Sequence, residues 1–188
     1  QINAAFAITY QINGQFILVF TVGPVTFCYN ATASQLSGRS VWFEFDWKVA
    51  GIVRRLNESI VFHEENEVGV LDRSVTQFGQ PILREIVSQP FYGNDMPVFE
   101  GEFELTLQTG LALDESDPII RYSYSDDGAR TFTPEFQRNI GEKGAYQKRV
   151  VWRRQGSFPI SRVIKINISD NVECNIVGMS ATAEVGTS

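Results

Sequence analysis

The sequence predicts an all-β protein of antiparallel strands, with partial β-propeller blades first and a β-sandwich domain after them. Short apolar–polar alternations with a period of two recur along nearly the whole chain. Clusters of Gly, Asn, Asp and Pro separate these runs, as turns between strands require. Helical periodicity is weak throughout, and no apolar run approaches the roughly 20 residues of a membrane span.

The composition fits a folded protein without a bound cofactor. The 188 residues are 43% hydrophobic and 12% aromatic, which suffices for a real core in one large or two small domains. Two cysteines and one histidine cannot build a usual structural zinc site, and no metal or cofactor site is predicted. For Cys28 and Cys174 a disulfide is open, but we favour two buried thiols.

Residues 1–78 read as a partial, propeller-like blade region. Asn13-Gly14 lies between two apolar runs and predicts a two-residue hairpin turn, because both residues tolerate positive φ. Residues 41–47 alternate, which predicts one face with Val41, Phe43, Phe45 and Trp47 and another with Trp42, Glu44 and Asp46. Further short strands are predicted at 6–10, 15–22, 25–29, 51–56, 59–63 and 68–71.

Residues 79–188 read as a β-sandwich domain with longer strands. Alternation over 98–107 predicts that Phe99 shares a face with Phe103 and Leu105, opposite a solvated face carrying Glu100, Glu102 and Glu104. We expect the small, polar segment 181–188 to fray. The other predicted strands are 82–88, 119–124, 132–136, 146–152, 162–168 and 172–179.

A turn motif stands between two of these strands. It resembles the Asp-box hairpin of sialidase-like propellers, with Ala129 where that motif usually has Gly. Asp127 is expected to accept hydrogen bonds from backbone N–H groups of the turn, and Gly128 to adopt positive φ. A single copy predicts a stabilised turn rather than a sugar or metal site. The structural turn residues are Ser125, Asp127, Gly128, Thr131 and Phe132.

A basic, aromatic segment follows the turn and is the predicted partner-binding surface. On a strand, cations fall on both faces of this segment, which predicts that neither is a simple core face. Contact with an acidic protein surface, or with the chain's own Glu-rich half, is favoured over DNA because the whole chain is acidic. The predicted contact residues are Tyr146, Lys148, Arg149, Trp152, Arg153 and Arg154.

Charge is unevenly distributed along the chain. Residues 1–118 hold 6 basic and 15 acidic residues, whereas residues 119–188 hold 10 and 7. An acidic front and a basic back would suit head-to-tail contact between copies or contact with an acidic partner. Charges scattered over two solvated surfaces would give the same counts, and both interpretations stay open.

No constellation of residues predicts catalysis. A glycosidase needs two carboxylates across a cleft. The acidic pairs here, such as Glu44 with Asp46, lie on single strand faces. His63 precedes two glutamates, but no Ser or Cys in a nucleophile-elbow context accompanies it. We therefore predict a protein that is not an enzyme.

The order of these motifs resembles the packaged-DNA stabilization protein family of short-tailed bacteriophages, also called tail accessory or tail hub proteins. A blade-like hairpin and a Trp-rich strand come first, and the resemblance is strongest over 79–179. The segments that carry it are Glu-Val-Gly-Val-Leu-Asp at 67–72, Gly-Gln-Pro-Ile-Leu-Arg at 79–84, Phe-Glu-Leu-Thr-Leu-Gln-Thr-Gly at 103–110, Tyr-Ser-Tyr-Ser-Asp-Asp-Gly at 122–128 and Tyr-Gln-Lys-Arg-Val-Val-Trp-Arg-Arg at 146–154.

The resemblance implies the C-terminal portion of such a protein, since the sequence starts at Gln1 and the family's first propeller blades are absent. It implies a non-enzymatic virion component of the tail, made in the host cytoplasm and free of membrane. In that family the protein lies below the portal, helps close the channel after packaging, retains DNA and carries other tail parts. Its implied partners are the portal or adaptor, other tail proteins and further copies of itself in a ring of six.

Two alternative functions stay open. A carbohydrate-binding or sialidase-like module would use exposed aromatic residues, here Trp42, Trp47 or Tyr92, and the Asp-box favours it. Direct DNA contact along the channel is the weaker alternative and would give binding that falls steeply with salt.

Overall fold

A computed structural model describes residues 5–23, 25–45, 49–56, 58–63, 67–72, 75–93, 96–113 and 116–186. The chain divides into two compact units, 1–74 and 75–188. Both consist almost entirely of antiparallel strands, which confirms the predicted all-β class. The predicted domain assignment, with its boundary after residue 78, stays a prediction. The described residues contain no helix with the length and apolarity to cross a membrane.

The first unit begins with a four-stranded antiparallel sheet in chain order. Asn13 and Gly14 form the predicted hairpin turn between the first two strands, with φ of 54° and 75°. These positive values match the right-handed twist of the flanking strands. The strands are β1 (Ala5–Ile12), β2 (Gln15–Val22), β3 (Val25–Asn30) and β4 (Trp42–Phe45).

A short helix, α1 (Ala31–Ser37), connects β3 to β4 and was not predicted. Asn30 caps it, because its Oδ1 accepts the N–H of Ala33 at 2.9 Å. Gly38 ends it in the left-handed conformation, with φ of 67°. The cap residues were present in the sequence, but seven residues are too few for helical periodicity to show.

Both faces of this sheet are apolar. Its inner face holds a buried cluster of Tyr10, Ile17, Val19 and Cys28. On the other face Trp42, 57% exposed, contacts Tyr29 with ring centroids 4.9 Å apart. The register confirms that Trp42 and Glu44 lie on one face of the sheet and that Phe43 and Phe45 lie on the other. Asp46 and Trp47, which the alternation also assigns to these faces, fall outside the described residues.

A second, three-stranded sheet completes the described part of this unit. Its strands are β5 (Val49–Arg55), β6 (Glu58–His63) and β7 (Val68–Val70). Ile52 and Leu71 pack against the buried cluster of the first sheet. Burial raises the pKa of Cys28 to about 11, so its thiol stays protonated at neutral pH. Both cysteines are free, as favoured, although Cys174 is only partly buried.

The second unit is a sandwich of two antiparallel sheets. The strands of this unit are β8 (Thr76–Gln77), β9 (Gln80–Pro81), β10 (Arg84–Val87), β11 (Phe91–Tyr92), β12 (Val98–Leu107), β13 (Ile119–Ser125), β14 (Phe136–Asn139), β15 (Val150–Phe158), β16 (Ser161–Ile168) and β17 (Ile176–Val185). One sheet has the strand order β10-β16-β13-β14, with β11 also paired to β16, and the other has the order β15-β12-β17. A two-stranded ribbon of β8 and β9 precedes both sheets in the chain.

Stacked aromatic rings join the two sheets. Tyr122 of β13 stacks on Phe103 of β12 and on Trp152 of β15, with centroids 4.9 Å and 5.1 Å apart. All three side chains are at most 1% exposed. Burial of this much apolar surface contributes roughly 25 cal/mol per Å², and the ring geometry adds about 0.5–1.5 kcal/mol per pair.

The predicted assignment of side chains to the two faces of β12 is wrong at the start of the strand. Phe99 is 53% exposed, whereas Glu100 is buried at 5% exposure. A register shift between Glu100 and Glu102 marks a β-bulge, which changes the side-chain alternation at that point. Phe99 therefore points away from Phe103, and Glu100 lies on the core side.

Two predicted strand positions and the predicted fraying of the C-terminal segment also need correction. The predicted strand 132–136 lies at Phe136–Asn139, and the predicted strand 146–152 lies at Val150–Phe158. Gly141 and Gly144, with φ of 106° and 89°, lie in the loop between these two strands, because such positive values do not occur in a regular strand. Within the segment predicted to fray, residues 181–185 are instead paired with β12 as the end of β17, because small residues still donate and accept backbone hydrogen bonds.

Candidate functional site

The Asp-box-like turn connects β13 to the segment before β14, and Asp127 organises it. One carboxylate oxygen, Oδ1, accepts the N–H groups of Arg130 and Thr131 at 3.0 Å and 2.9 Å. It also accepts the Ser125 hydroxyl at 2.6 Å. The other oxygen, Oδ2, accepts the Thr131 hydroxyl at 2.6 Å. These bonds confirm the predicted role of Asp127 as the acceptor of the turn.

The backbone and the flanking residues complete the turn. Gly128 adopts the expected positive φ of 76°, and Ala129 follows with 66°. Ala129 stands where the Asp-box usually has Gly, and its N–H donates to the Ser125 hydroxyl at 2.9 Å. The ring of Phe132 lies 4.0 Å from the ammonium of Lys165, a cation–π contact that ties the turn to β16.

Beside this turn lies a buried arginine. Arg162 of β16 is 1% exposed and binds Asp126 with two parallel hydrogen bonds, Nε to Oδ1 at 2.7 Å and Nη2 to Oδ2 at 2.8 Å. Its Nη1 donates to Glu100 Oε2 at 2.9 Å and to the Gln155 carbonyl at 2.8 Å. The guanidinium therefore connects the turn, β16 and both bulged strands of the opposite sheet.

Aromatic rings enclose the same guanidinium. Its central carbon lies 3.8 Å from the ring centroid of Tyr124 and 4.8 Å from that of Phe158. Burial raises the pKa of Glu100, and the hydrogen bond and charge of Arg162 only partly oppose this effect. For Arg162 burial lowers the pKa, but the bonds to Asp126 and Glu100 outweigh it and raise the value overall. The arginine is therefore charged in the folded protein.

On the outward side of β12 and β15, two arginines pair with two glutamates; these four residues, which we call the acid–base ladder, are Glu102 and Glu104 of β12, Arg153 of β15 and Arg149 directly before β15. Arg149 binds Glu104 through two hydrogen bonds of 2.8 Å and 2.6 Å. Arg153 binds Glu102 at 2.9 Å. The hydrogen bond from Arg149 lowers the pKa of Glu104. The predicted solvated acidic face is thus confirmed for these two glutamates, with cations of the same chain beside them.

The structure places the six predicted contact residues in different environments. Tyr146 is 70% exposed in the loop before β15. Lys148 forms an ion pair with Asp117 at 3.0 Å. Trp152 lies in the core and donates from Nε1 to the Phe136 carbonyl at 3.0 Å, so its ring is not at the surface.

Burial of Val150 and Trp152 also corrects the expectation that neither face of this strand is a core face. Arg149 and Arg153 belong to the acid–base ladder, which is contact with the chain's own glutamates. Arg154 is exposed at a bulge with φ of 61° and makes no ion pair within the described residues. Binding of a partner by the surface residues of this set stays a prediction.

Sequence reasoning missed the cluster of Arg162, Glu100 and Asp126. One signal could have found Arg162, since alternation on β16 places it on the same face as Ile164, Ile166 and Ile168. A charged residue on a buried face requires a partner. The partners themselves could not be read from the sequence, because Glu100 faces inward only through the bulge. No group of His, Cys, Asp and Glu among the described residues could hold a metal ion.

Comparison with known proteins identifies the sandwich. The family model described as bacteriophage P22 Gp10, beta-sandwich, matches residues 84–184, more than half of the chain. The chain belongs to the bacteriophage P22 Gp10 β-sandwich family. Membership confirms the predicted β-sandwich and the phage tail family, and it supports a structural protein of the phage tail.

Other comparisons add little to the P22 Gp10 assignment. No curated protein matches the sequence. One similar solved structure is an exo-β-1,3-galactanase from Phanerochaete chrysosporium with galactose, at 9% identity and a TM-score of 0.30. That alignment covers 94% of this chain, which spans 56% of the length of the galactanase. A likeness at this score carries no argument about activity.

The Asp127 turn predicts a specific pH dependence of stability. Hydrogen bonds from Ser125 and Thr131 hold the pKa of Asp127 well below the ordinary value of about 3.9. Its stabilising effect is present above that ordinary value and is lost as pH falls towards the lower folded-state pKa. Between about pH 5 and about pH 2.5, the parent chain should lose more free energy of unfolding than Asp127→Asn.

Urea denaturation at each pH measures this difference. Every other titrating group is shared by the two proteins, so the difference between their curves isolates Asp127. Parallel curves over that range would show that the turn does not depend on the carboxylate charge.

Proposed function

We propose that the chain is a structural component of a phage tail that helps close the portal channel, retains packaged DNA and attaches other tail parts. The family match over the sandwich is the observation that carries this proposal. We place the protein in the virion, after synthesis in the host cytoplasm, and assign it no enzymatic activity. The arrangement of charges supports a structural role, because Arg162 and the acid–base ladder form ion pairs that link different strands of the chain.

A free sheet edge supports self-association. Among the residues that the structure describes, strand β17 has one neighbour in its sheet, β12, and Glu184 is the only charged residue of the strand. An exposed strand of ten residues without Lys, Arg or Pro offers unpaired backbone groups to another chain. By contrast, the outer side of β15 already receives Arg138, whose Nε donates to the Val151 carbonyl at 3.0 Å. We assign β17 to contact between copies in a ring of six, which requires head-to-tail pairing with a different surface of the next copy.

The first unit supports the proposal of propeller-like blades. Its sheet of β1 to β4 is an antiparallel meander, the arrangement of a propeller blade. Side chains of both faces are apolar, with Phe20, Tyr29 and Trp42 in contact on the outer one. Apolar residues on both faces suit a sheet that packs between two others.

Protein partners fit the basic segment better than DNA does. Arg149 and Arg153 pair with glutamates, which leaves the acid–base ladder close to neutral. DNA binding requires cations free to neutralise phosphates. The proposed contacts are therefore the portal or adaptor and other tail proteins, through the exposed members of the segment, Tyr146, Arg149, Arg153 and Arg154.

Light scattering of the chain across concentration, at low and high salt, tests self-association. We expect a closed oligomer that does not form when Ala181→Lys and Ala183→Lys place two cations on β17. Gln137→Lys with Gln147→Lys is the matched control, since it adds the same charge at exposed positions elsewhere. A monomer at all concentrations, or equal behaviour of both double variants, would contradict the assignment of β17.

Charge reversal tests the role of the basic segment in the tail. Arg149→Glu, Arg153→Glu and Arg154→Glu together should prevent tail assembly without unfolding the sandwich, because all three side chains are exposed. Electron microscopy of particles and the nuclease sensitivity of their DNA measure assembly and DNA retention.

A swapped variant controls for local repulsion. It adds Glu102→Arg and Glu104→Arg to the triple reversal, which restores ion pairs within the ladder but keeps the segment acidic. Both variants should fail to assemble if a partner protein binds to the positive charge of the basic segment. Normal assembly of either one would show that the segment makes no essential contact.

A further inference from the structure

A hollow lies on the outward face of the sheet β15-β12-β17, at the bulge. Two glycines create it: a Cβ on Gly156 would meet nothing within 4 Å, and one on Gly101 would meet only the Thr182 carbonyl at 3.7 Å. Its volume is about 440 Å³, within the range of small-molecule sites. Its side-chain lining includes Phe99, Arg154, Ser157, Thr182 and Glu184.

Strand register explains why these side chains converge. Phe99 pairs with Ser157 on one side and with Glu184 on the other. Directly opposed residues of antiparallel strands share a face, so an exposed ring lies between a hydroxyl and a carboxylate. The bulge places Arg154 in the left-handed conformation beside them.

The charges of the hollow differ from their neighbours on the same face. Arg149 and Arg153 are paired with Glu104 and Glu102 in the acid–base ladder. Arg154 and Glu184 make no side-chain hydrogen bond or ion pair with the described residues. A cation and an anion thus line one hollow with their hydrogen-bonding groups unused.

We propose that this hollow is a binding site for a neutral, polyhydroxylated ligand, a sugar. The positively polarised C–H groups of a pyranose ring suit the face of Phe99. A hydroxyl group both donates and accepts, so a sugar can accept from Arg154 and donate to Glu184 at the same time. Glu184 would repel an anionic ligand and Arg154 would repel a cationic one. A neutral ligand is therefore favoured over an ion of either sign.

Saturation-transfer NMR and calorimetry on the whole chain test the site with glucose, galactose, rhamnose, maltose and lactose. At least one of these sugars should bind saturably. Phe99→Ala should weaken it about fivefold to tenfold, and Arg154→Asn and Glu184→Gln should each weaken it several-fold. These substitutions preserve the fold, because Phe99 is exposed and Asn tolerates the positive φ of position 154.

Arg153→Gln is the control variant, since Arg153 lies on the same face but belongs to the acid–base ladder; it should bind the sugar as the parent does. Glycine and alanine serve as zwitterionic probes of the same hollow. Binding of these amino acids without any sugar would overturn the ligand class. Absence of saturable sugar binding, or binding that the three hollow variants leave unchanged, would overturn the site itself.

Discussion

The buried charge of Arg162 is the constraint around which the sandwich is organised. A guanidinium removed from water is strongly unfavourable unless its hydrogen bonds are met. Here Asp126, Glu100 and the Gln155 carbonyl meet them, and each belongs to a different segment. The turn after β13, the bulge of β12 and the bulge of β15 are therefore linked through one side chain.

This linkage also explains features of the surface. The bulge that turns Glu100 inward turns Phe99 outward, and the opposite bulge places Arg154 beside it. The hollow and the buried ion pair are two sides of one irregularity in the sheet. Farther along the same strands regular pairing returns, and the acid–base ladder forms there because Glu102 and Arg153 are direct cross-strand neighbours.

Local signals in the sequence predicted local structure well. The Asn13-Gly14 turn, the Asp127 turn and the bounds of β12 follow from residues close in sequence, and the structure confirms them. Effects that depend on distant residues were not predictable in the same way. Trp152 looked like a surface residue among cations, yet the stacking partner that buries it, Tyr122, lies 30 positions away. Likewise, β17 is ordered by pairing with β12 rather than by its own small residues.

A double-mutant cycle on Arg162 and Glu100 tests whether the buried ion pair organises the sandwich. Arg162→Met should lower the free energy of unfolding by about 3–5 kcal/mol, because it leaves Glu100 buried without its partner. The double variant Arg162→Met with Glu100→Leu should be less destabilised than Arg162→Met alone, since no unpaired buried carboxylate remains. If the two substitutions instead add within about 0.5 kcal/mol, the buried ion pair does not organise the sandwich.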